Sequence, residues 1–175
     1  MQLIIEDVSF AYSSTPVLND ITAELKGPGF ISILGPNGVG KSTLIHCINK
    51  ILQPTEGAVF IDEENVANIP IKDLAKIVGY VPYSATDTFP LSVVDTVLMG
   101  RHPYSRWGSL DDDLDMVYDV LEKLGIENLA MRPFNELSAG QHQKVMLARG
   151  LVQEPKILLL DERSEERRVG KECRS

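Results

Sequence analysis

Near the amino end of the chain, apolar and polar positions alternate twice. Leu3, Ile5 and Val8 in residues 2–10, then Leu18, Ile21, Ala23 and Leu25 in residues 17–25, repeat with a period close to two, the spacing of a strand with one buried face. The turn formers Ser13, Ser14 and Pro16 lie between them, which predicts a small antiparallel sheet. Phe30 to Leu34 (FISIL) is a short, β-branched apolar run and predicts a strand buried on both faces. Beyond the next loop, Leu44, Ile45, Ile48, Ile51 and Leu52 recur at the spacing of one helix face.

Further along, Ser92 with Asp95 has the form of a capping box, opening a helix that Gly100 would close. Asp111, Asp112 and Asp113 stand where a helix dipole favours negative charge, Leu114, Val117, Tyr118, Leu121 and Leu124 form a stripe behind them, and Gly125 ends it. Another helix is expected from about Ser138 to Val152, and a second buried strand over Lys156 to Asp161. Together these elements predict an α/β fold: a mainly parallel sheet, the small antiparallel sheet, and a helical insertion from about Ser84 to Val152.

Length and charge narrow the possibilities. A chain of 175 residues fits one domain with a real core. It contains no run of about 18 apolar residues and no basic-then-apolar leader, so the expectation is a cytoplasmic, unanchored protein. The formal charge is −8, and setting aside the stretch from Arg163 leaves 12 basic against 22 acidic residues. That balance argues against nucleic acid as a partner. Cys47 and Cys173 have neither metal-ligand nor disulfide-framework spacing, and Cys47, within a helical pattern, is expected in the core.

The chemistry is concentrated in two places. Gly35, Pro36, Asn37, Gly38, Val39, Gly40, Lys41, Ser42 and Thr43 contain G-x-x-x-x-G-K-[ST] between the expected strand and helix. Glycines let backbone N–H groups turn inward around phosphates, the helix N-terminus adds its positive end, Lys41 reaches the β and γ phosphates, and Ser42 holds Mg²⁺. The second place is Ile157 to Leu160 followed by Asp161 and Glu162, an apolar strand delivering carboxylates at its end. Asp161 would bind the metal through water, and Glu162 would take the proton of the attacking water, a role worth roughly 10² to 10⁴ in rate.

Leu137, Ser138, Ala139, Gly140 and Gln141 (LSAGQ), followed by HQKVMLARGLVQEPKILLLDE, resemble the signature segment of ABC ATPases. With the phosphate loop and the Asp161–Glu162 strand in the family's order, the resemblance covers roughly residues 1–162. It implies a P-loop NTPase (RecA-like) core that binds ATP and Mg²⁺ and hydrolyses ATP. It also implies that Ser138, Ala139, Gly140 and Gln141 meet the γ-phosphate of ATP bound to a second copy, which suits a helix N-terminus. Tyr12 matches the aromatic residue on which adenine stacks. The resemblance further implies an integral membrane permease as partner, a homodimer in the complete protein, indirect dealings with a solute-binding protein, and a peripheral position on the inner face of the membrane. PLSVVDTVLMGRHPY, Pro90 to Tyr104, resembles the start of the helical subdomain in importers of iron chelates, haem and cobalamin.

Two departures stand against that pattern. Where the family has glutamine after Tyr-x-Pro, this chain has Tyr83, and no glutamine occurs from Pro54 to Gly140; a neutral phenol ligates Mg²⁺ poorly. After Glu162 the chain reads RSEERRVGKECRS, with eight of thirteen residues charged, so residues 163–175 read as a disordered tail foreign to the family. The string resembles a translated sequencing adapter; a frameshift or an engineered truncation is the alternative. The strand Lys156 to Asp161 would then lack its family neighbour and present an unpaired edge. His46, His102 and His142 all precede this point and read as surface or packing residues. The leading expectation is an ATP-driven import subunit, most of whose turnover needs the missing segment. A non-transport ABC ATPase and a nucleotide-binding module without turnover remain as alternatives.

Overall fold

A computed structural model describes residues 1–82, 91–104 and 109–161. The two alternating segments form β1 (Gln2–Tyr12) and β2 (Thr15–Lys26), antiparallel with Leu3 opposite Leu25 and Ile5 opposite Ala23. The sheet then extends further than the sequence pattern suggests. β3 (Glu56–Ile61) pairs with the free side of β1, placing Val59 opposite Ile5 and Ile61 opposite Leu3, and the two-residue β4 (Glu64–Asn65) follows it. The order is β2-β1-β3-β4. Its apolar face packs with Cys47 and Ile48 of α1 (Lys41–Ile48) into a first core, each fully buried aliphatic side chain stabilising by about 1.5–3 kcal/mol. Cys47 is 2% exposed, as its pattern predicts. The helix stops earlier than the stripe that predicted it: Lys50 adopts a left-handed φ of 61°, and Ile51 is left exposed.

A second core gathers residues 93–152. After the short α2 (Ile71–Leu74) and β5 (Val78–Val81) come α3 (Val93–Leu98), a 3₁₀ turn (Met99–Tyr104), α4 (Leu110–Lys123) and α5 (Ala139–Leu151). Ser92 caps α3 by accepting from the Asp95 N–H, as the capping pattern predicts. Gly100 does not close that helix; the chain tightens and continues to Tyr104. A Cβ at Gly100 would lie 2.3 Å from the Arg149 carbonyl oxygen, so the glycine serves close packing on α5 rather than a helix stop. Along α4 the three aspartates fill the first turn, Val117 and Leu121 are buried, and Gly125 follows with φ 63°. Tyr118, expected in the stripe, is 44% exposed, because the buried face of α4 is centred on Val117 and Leu121. Arg101 bonds Asp113 at 2.7 Å and lies 4.3 Å from the Tyr104 ring centroid, fastening the 3₁₀ turn to α4.

β5 pairs in parallel with β6 (Ile157–Leu160), with Tyr80 opposite Leu159 and Val81 opposite Leu160. The buried strand expected over Lys156 to Asp161 is therefore present. The one expected over Phe30 to Leu34 is not: these residues form no strand, and Phe30 and Leu34 are both 89% exposed. An apolar run becomes a buried strand only where neighbours take its backbone hydrogen bonds, and β5 and β6 pair with each other instead. Among the described residues the antiparallel sheet is thus the larger of the two, against the expected mainly parallel arrangement.

Candidate functional site

The loop from Gly35 to Gly40 joins exposed chain to α1. Gly40 sits at the N-cap with φ 104°, and a Cβ there would lie 2.9 Å from Leu18 and 3.0 Å from Val17. A glycine both permits the left-handed turn and lets the loop approach β2. The first turn of α1 has no side-chain cap and no acidic residue. Its leading N–H groups are not taken by a side-chain cap, and they stand at the positive end of the helix, where an anion is stabilised. Lys41 Nζ folds back to donate to the carbonyls of Gly35 at 2.7 Å and Pro36 at 2.8 Å. Carbonyl oxygens are weaker partners for an ammonium than a charged phosphate, so the lysine can exchange them for a ligand. Gly38, with φ 81°, and Val39, half exposed, complete an open rim. Thr43 is only 7% exposed, on the core side of α1.

Folding brings Ser42 to Asp161: Ser42 Oγ donates to Asp161 Oδ1 at 2.8 Å. The backbone fixes the other end, because Asp161 N–H donates to the Val81 carbonyl at 3.0 Å just beyond β6. A hydroxyl and a carboxylate are hard oxygen donors and fit Mg²⁺, which keeps waters and takes phosphate oxygens for its remaining positions. Among the described residues no group of three or more His, Cys, Asp or Glu could hold a metal by itself.

Two neighbours of this pair escape the sequence reading. Tyr80 Oη lies 3.4 Å from Asp161 Oδ2, and His46 Nε2 lies 3.0 Å from the same Oη. Burial first, then the adjacent Asp161 carboxylate, push the Tyr80 phenol above its ordinary value. A signal was available, since Ser42 and His46 are four apart on one helix and share a face, but only the β5–β6 register shows that Tyr80 meets them. His46 is therefore no simple surface residue.

Tyr12 ends β1, half exposed and edge-on to Phe10 at 4.9 Å. It pairs with Thr15 at the end of the β1–β2 hairpin, so half of its surface is open to solvent. Ser138 caps α5 in a complete capping box: Ser138 N–H donates to Gln141 Oε1 at 2.9 Å and Gln141 N–H to Ser138 Oγ at 3.4 Å. Ala139 and Gly140 form the first turn, and a Cβ on Gly140 would meet open space. His142 stacks on the buried Phe134 at 4.2 Å. A separate cleft of about 440 Å³ lies between the two cores, lined by Leu74, Val78, Met99, Pro103 and Arg149 among others. Burial raises the Cys47 thiol above its ordinary value, which disfavours the reactive thiolate. Glu162, Tyr83 and the tail 163–175 lie outside the described residues.

An open glycine loop at a helix N-terminus, with a lysine and a serine–aspartate pair converging on it, defines a P-loop nucleotide-binding fold. Residues 18–165 match the family model described as ABC transporter. An uncharacterized ABC transporter ATP-binding protein of Methanocaldococcus jannaschii is 49% identical over 162 residues, covering 93% of this chain and 63% of its own length. The cobalamin import ATP-binding protein of Halobacterium salinarum is 33% identical, covering 93% and 41%, and the phosphonates import ATP-binding protein of Nitratidesulfovibrio vulgaris 35%, covering 91% and 64%. Among solved structures, an inward-facing ABC transporter assigned provisionally to the metal-chelate type superposes with a TM-score of 0.77 at 30% identity, covering 91% of this chain and 59% of that one. The chain belongs to the ABC transporter family. It spans less than two thirds of the length of these relatives. Among the described residues no helix is long and apolar enough to cross a membrane.

Proposed function

We propose that this protein is the ATP-binding subunit that powers solute import through a membrane permease. The observation that carries the reading is the uncapped start of α1, with Lys41 held on two loop carbonyls and Ser42 bonded to Asp161. Loop N–H groups from Gly38 to Thr43 and the Lys41 ammonium would take the triphosphate, and Tyr12 would stack on adenine. Ser42 would hold Mg²⁺ directly and Asp161 through water; the ion would screen the phosphate charge as it builds during transfer. Glu162, next in the chain, would accept the proton of the attacking water.

Ser138, Ala139, Gly140 and Gln141 would serve the nucleotide of a second subunit, across a head-to-tail homodimer. The cleft between the cores, with Met99 and Pro103 in its lining, suits an apolar segment of the permease, which would hold the protein at the inner face of the membrane. A solute-binding protein would then act only through the permease. A metal-chelate solute is supported by the Pro90 to Tyr104 segment and by the cobalamin and metal-chelate relatives, while the phosphonate relative shows that identity alone does not separate solutes.

Calorimetric titration of the chain with ATP, with and without Mg²⁺, followed by assay of released phosphate, tests the reading. Heat with ATP and phosphate release support a working ATPase. Binding without release leaves a nucleotide-binding module, and no heat at all refutes the assignment of the loop.

A further inference from the structure

We propose that Tyr80, held by His46, is a positioning residue for Asp161, fixing the carboxylate in the orientation from which it and Ser42 receive the nucleotide's Mg²⁺. The inference rests on the nucleotide reading above and concerns residues which that reading leaves unassigned. Ser42 takes Oδ1 of Asp161 at 2.8 Å, and the Tyr80 hydroxyl faces Oδ2 at 3.4 Å. A phenol has one proton. If Tyr80 gives it to the carboxylate, the 3.0 Å contact with His46 must be a donation from the His46 Nε2–H to the phenol oxygen. The two rings meet edge to face, 83° apart, which presents the nitrogen edge of the imidazole to the hydroxyl.

The four side chains form a hydrogen-bonded series, Ser42–Asp161–Tyr80–His46. Ser42 and His46 stand one turn apart on α1, Tyr80 is on β5, and Asp161 follows β6. Each oxygen of the carboxylate is addressed from a different element, and its backbone N–H is tied to Val81, one residue past Tyr80. Such outer partners hold a metal-bound group in one rotamer, so the ion need not order it on binding. A purely structural role accounts less well for Tyr80, because its hydroxyl is spent on two polar groups while the apolar packing of β5 falls to Val78 and Val81.

The test is a fluorescence titration of the full chain with MANT-ATP, first in EDTA and then at increasing Mg²⁺. For Tyr80→Phe, which keeps the ring, the Mg²⁺ needed for half-maximal enhancement should rise roughly tenfold. Affinity in EDTA and the thermal midpoint should stay those of the wild type. His46→Leu should raise the Mg²⁺ requirement in the same direction, and His46→Gln, which restores an N–H donor, should return it towards wild type. An unchanged Mg²⁺ requirement in Tyr80→Phe, with normal binding in EDTA, overturns this inference alone. An effect confined to EDTA affinity or to the thermal midpoint also overturns it, as structural damage. Absence of MANT-ATP binding by the wild type in both conditions removes the nucleotide reading and this inference with it.

Discussion

The N-termini of α1 and α5 are both proposed to face ATP, yet they are finished in opposite ways. At α1 a left-handed glycine precedes the helix and no side chain caps it, so its leading N–H groups are not taken by a cap. At α5, Ser138 and Gln141 satisfy each other's backbone N–H groups in a capping box, so two of the leading donors are taken within the chain. Each solution follows from local chemistry. A Ser-x-x-Gln sequence supplies its own acceptors, whereas Gly40-Lys41 supplies none and keeps only the dipole. In the proposed reading, the first site is thus prepared for a ligand before the ligand arrives. At the second, the capping box leaves fewer donors for a phosphate, those of Ala139 and Gly140 within the first turn. α4 marks the contrary extreme, because Asp111, Asp112 and Asp113 in its first turn would repel a phosphate.

The comparison can be broken most severely at Lys41. Lys41→Ala should weaken ATP binding by about 10- to 150-fold, the loss of a charge-assisted bond, and calorimetry would measure it; a loss under threefold would mean that the helix end binds without the lysine. Next comes Gly40→Ala, where the added Cβ meets Leu18 and Val17 at 3.0 Å or less and the left-handed φ is strained. A destabilisation of about 1–3 kcal/mol is expected, together with weaker ATP binding, read by denaturant unfolding and titration.

Ser138→Ala should cost about 1 kcal/mol, or roughly 2–4 °C in thermal midpoint for a chain of this size, and leave ATP binding by the isolated chain unchanged. If that binding falls as well, the two helix ends are not independent. The smallest effect concerns Cys47 on the buried side of α1. Since burial raises its thiol pKa, less thiolate is present at a given pH than for an exposed cysteine, and labelling should stay slow at neutral pH and accelerate only as pH climbs past the ordinary thiol range. Labelling of the Cys47 peptide, followed by mass spectrometry, should slow further when ATP is added.

Much was legible in the linear chain because it depends on near neighbours. The hairpin β1–β2, the caps at Ser92 and Ser138, the acidic first turn of α4 and the glycine loop before Lys41 all follow from turn chemistry and periodicity over a few residues. The continuation of the first sheet into β3 was not, since its pairing with β1 joins residues as distant in the chain as Leu3 with Ile61 and Ser9 with Glu56. The apolar run Phe30 to Leu34 shows the opposite failure: its composition is that of a buried strand, but composition does not provide the neighbour that would bury it.

The sequence by itself therefore determined which groups we propose for phosphate chemistry: Lys41, Ser42, Asp161 and the amides around Gly40. Only the tertiary structure decided how they meet, because the distance from Ser42 to Asp161, and the insertion of Tyr80 and His46 behind that carboxylate, depend on the parallel register of β5 with β6 and on where α1 packs. A helix cap is set by bonds within one turn of chain, whereas a contact across 119 positions is set by the packing of everything between.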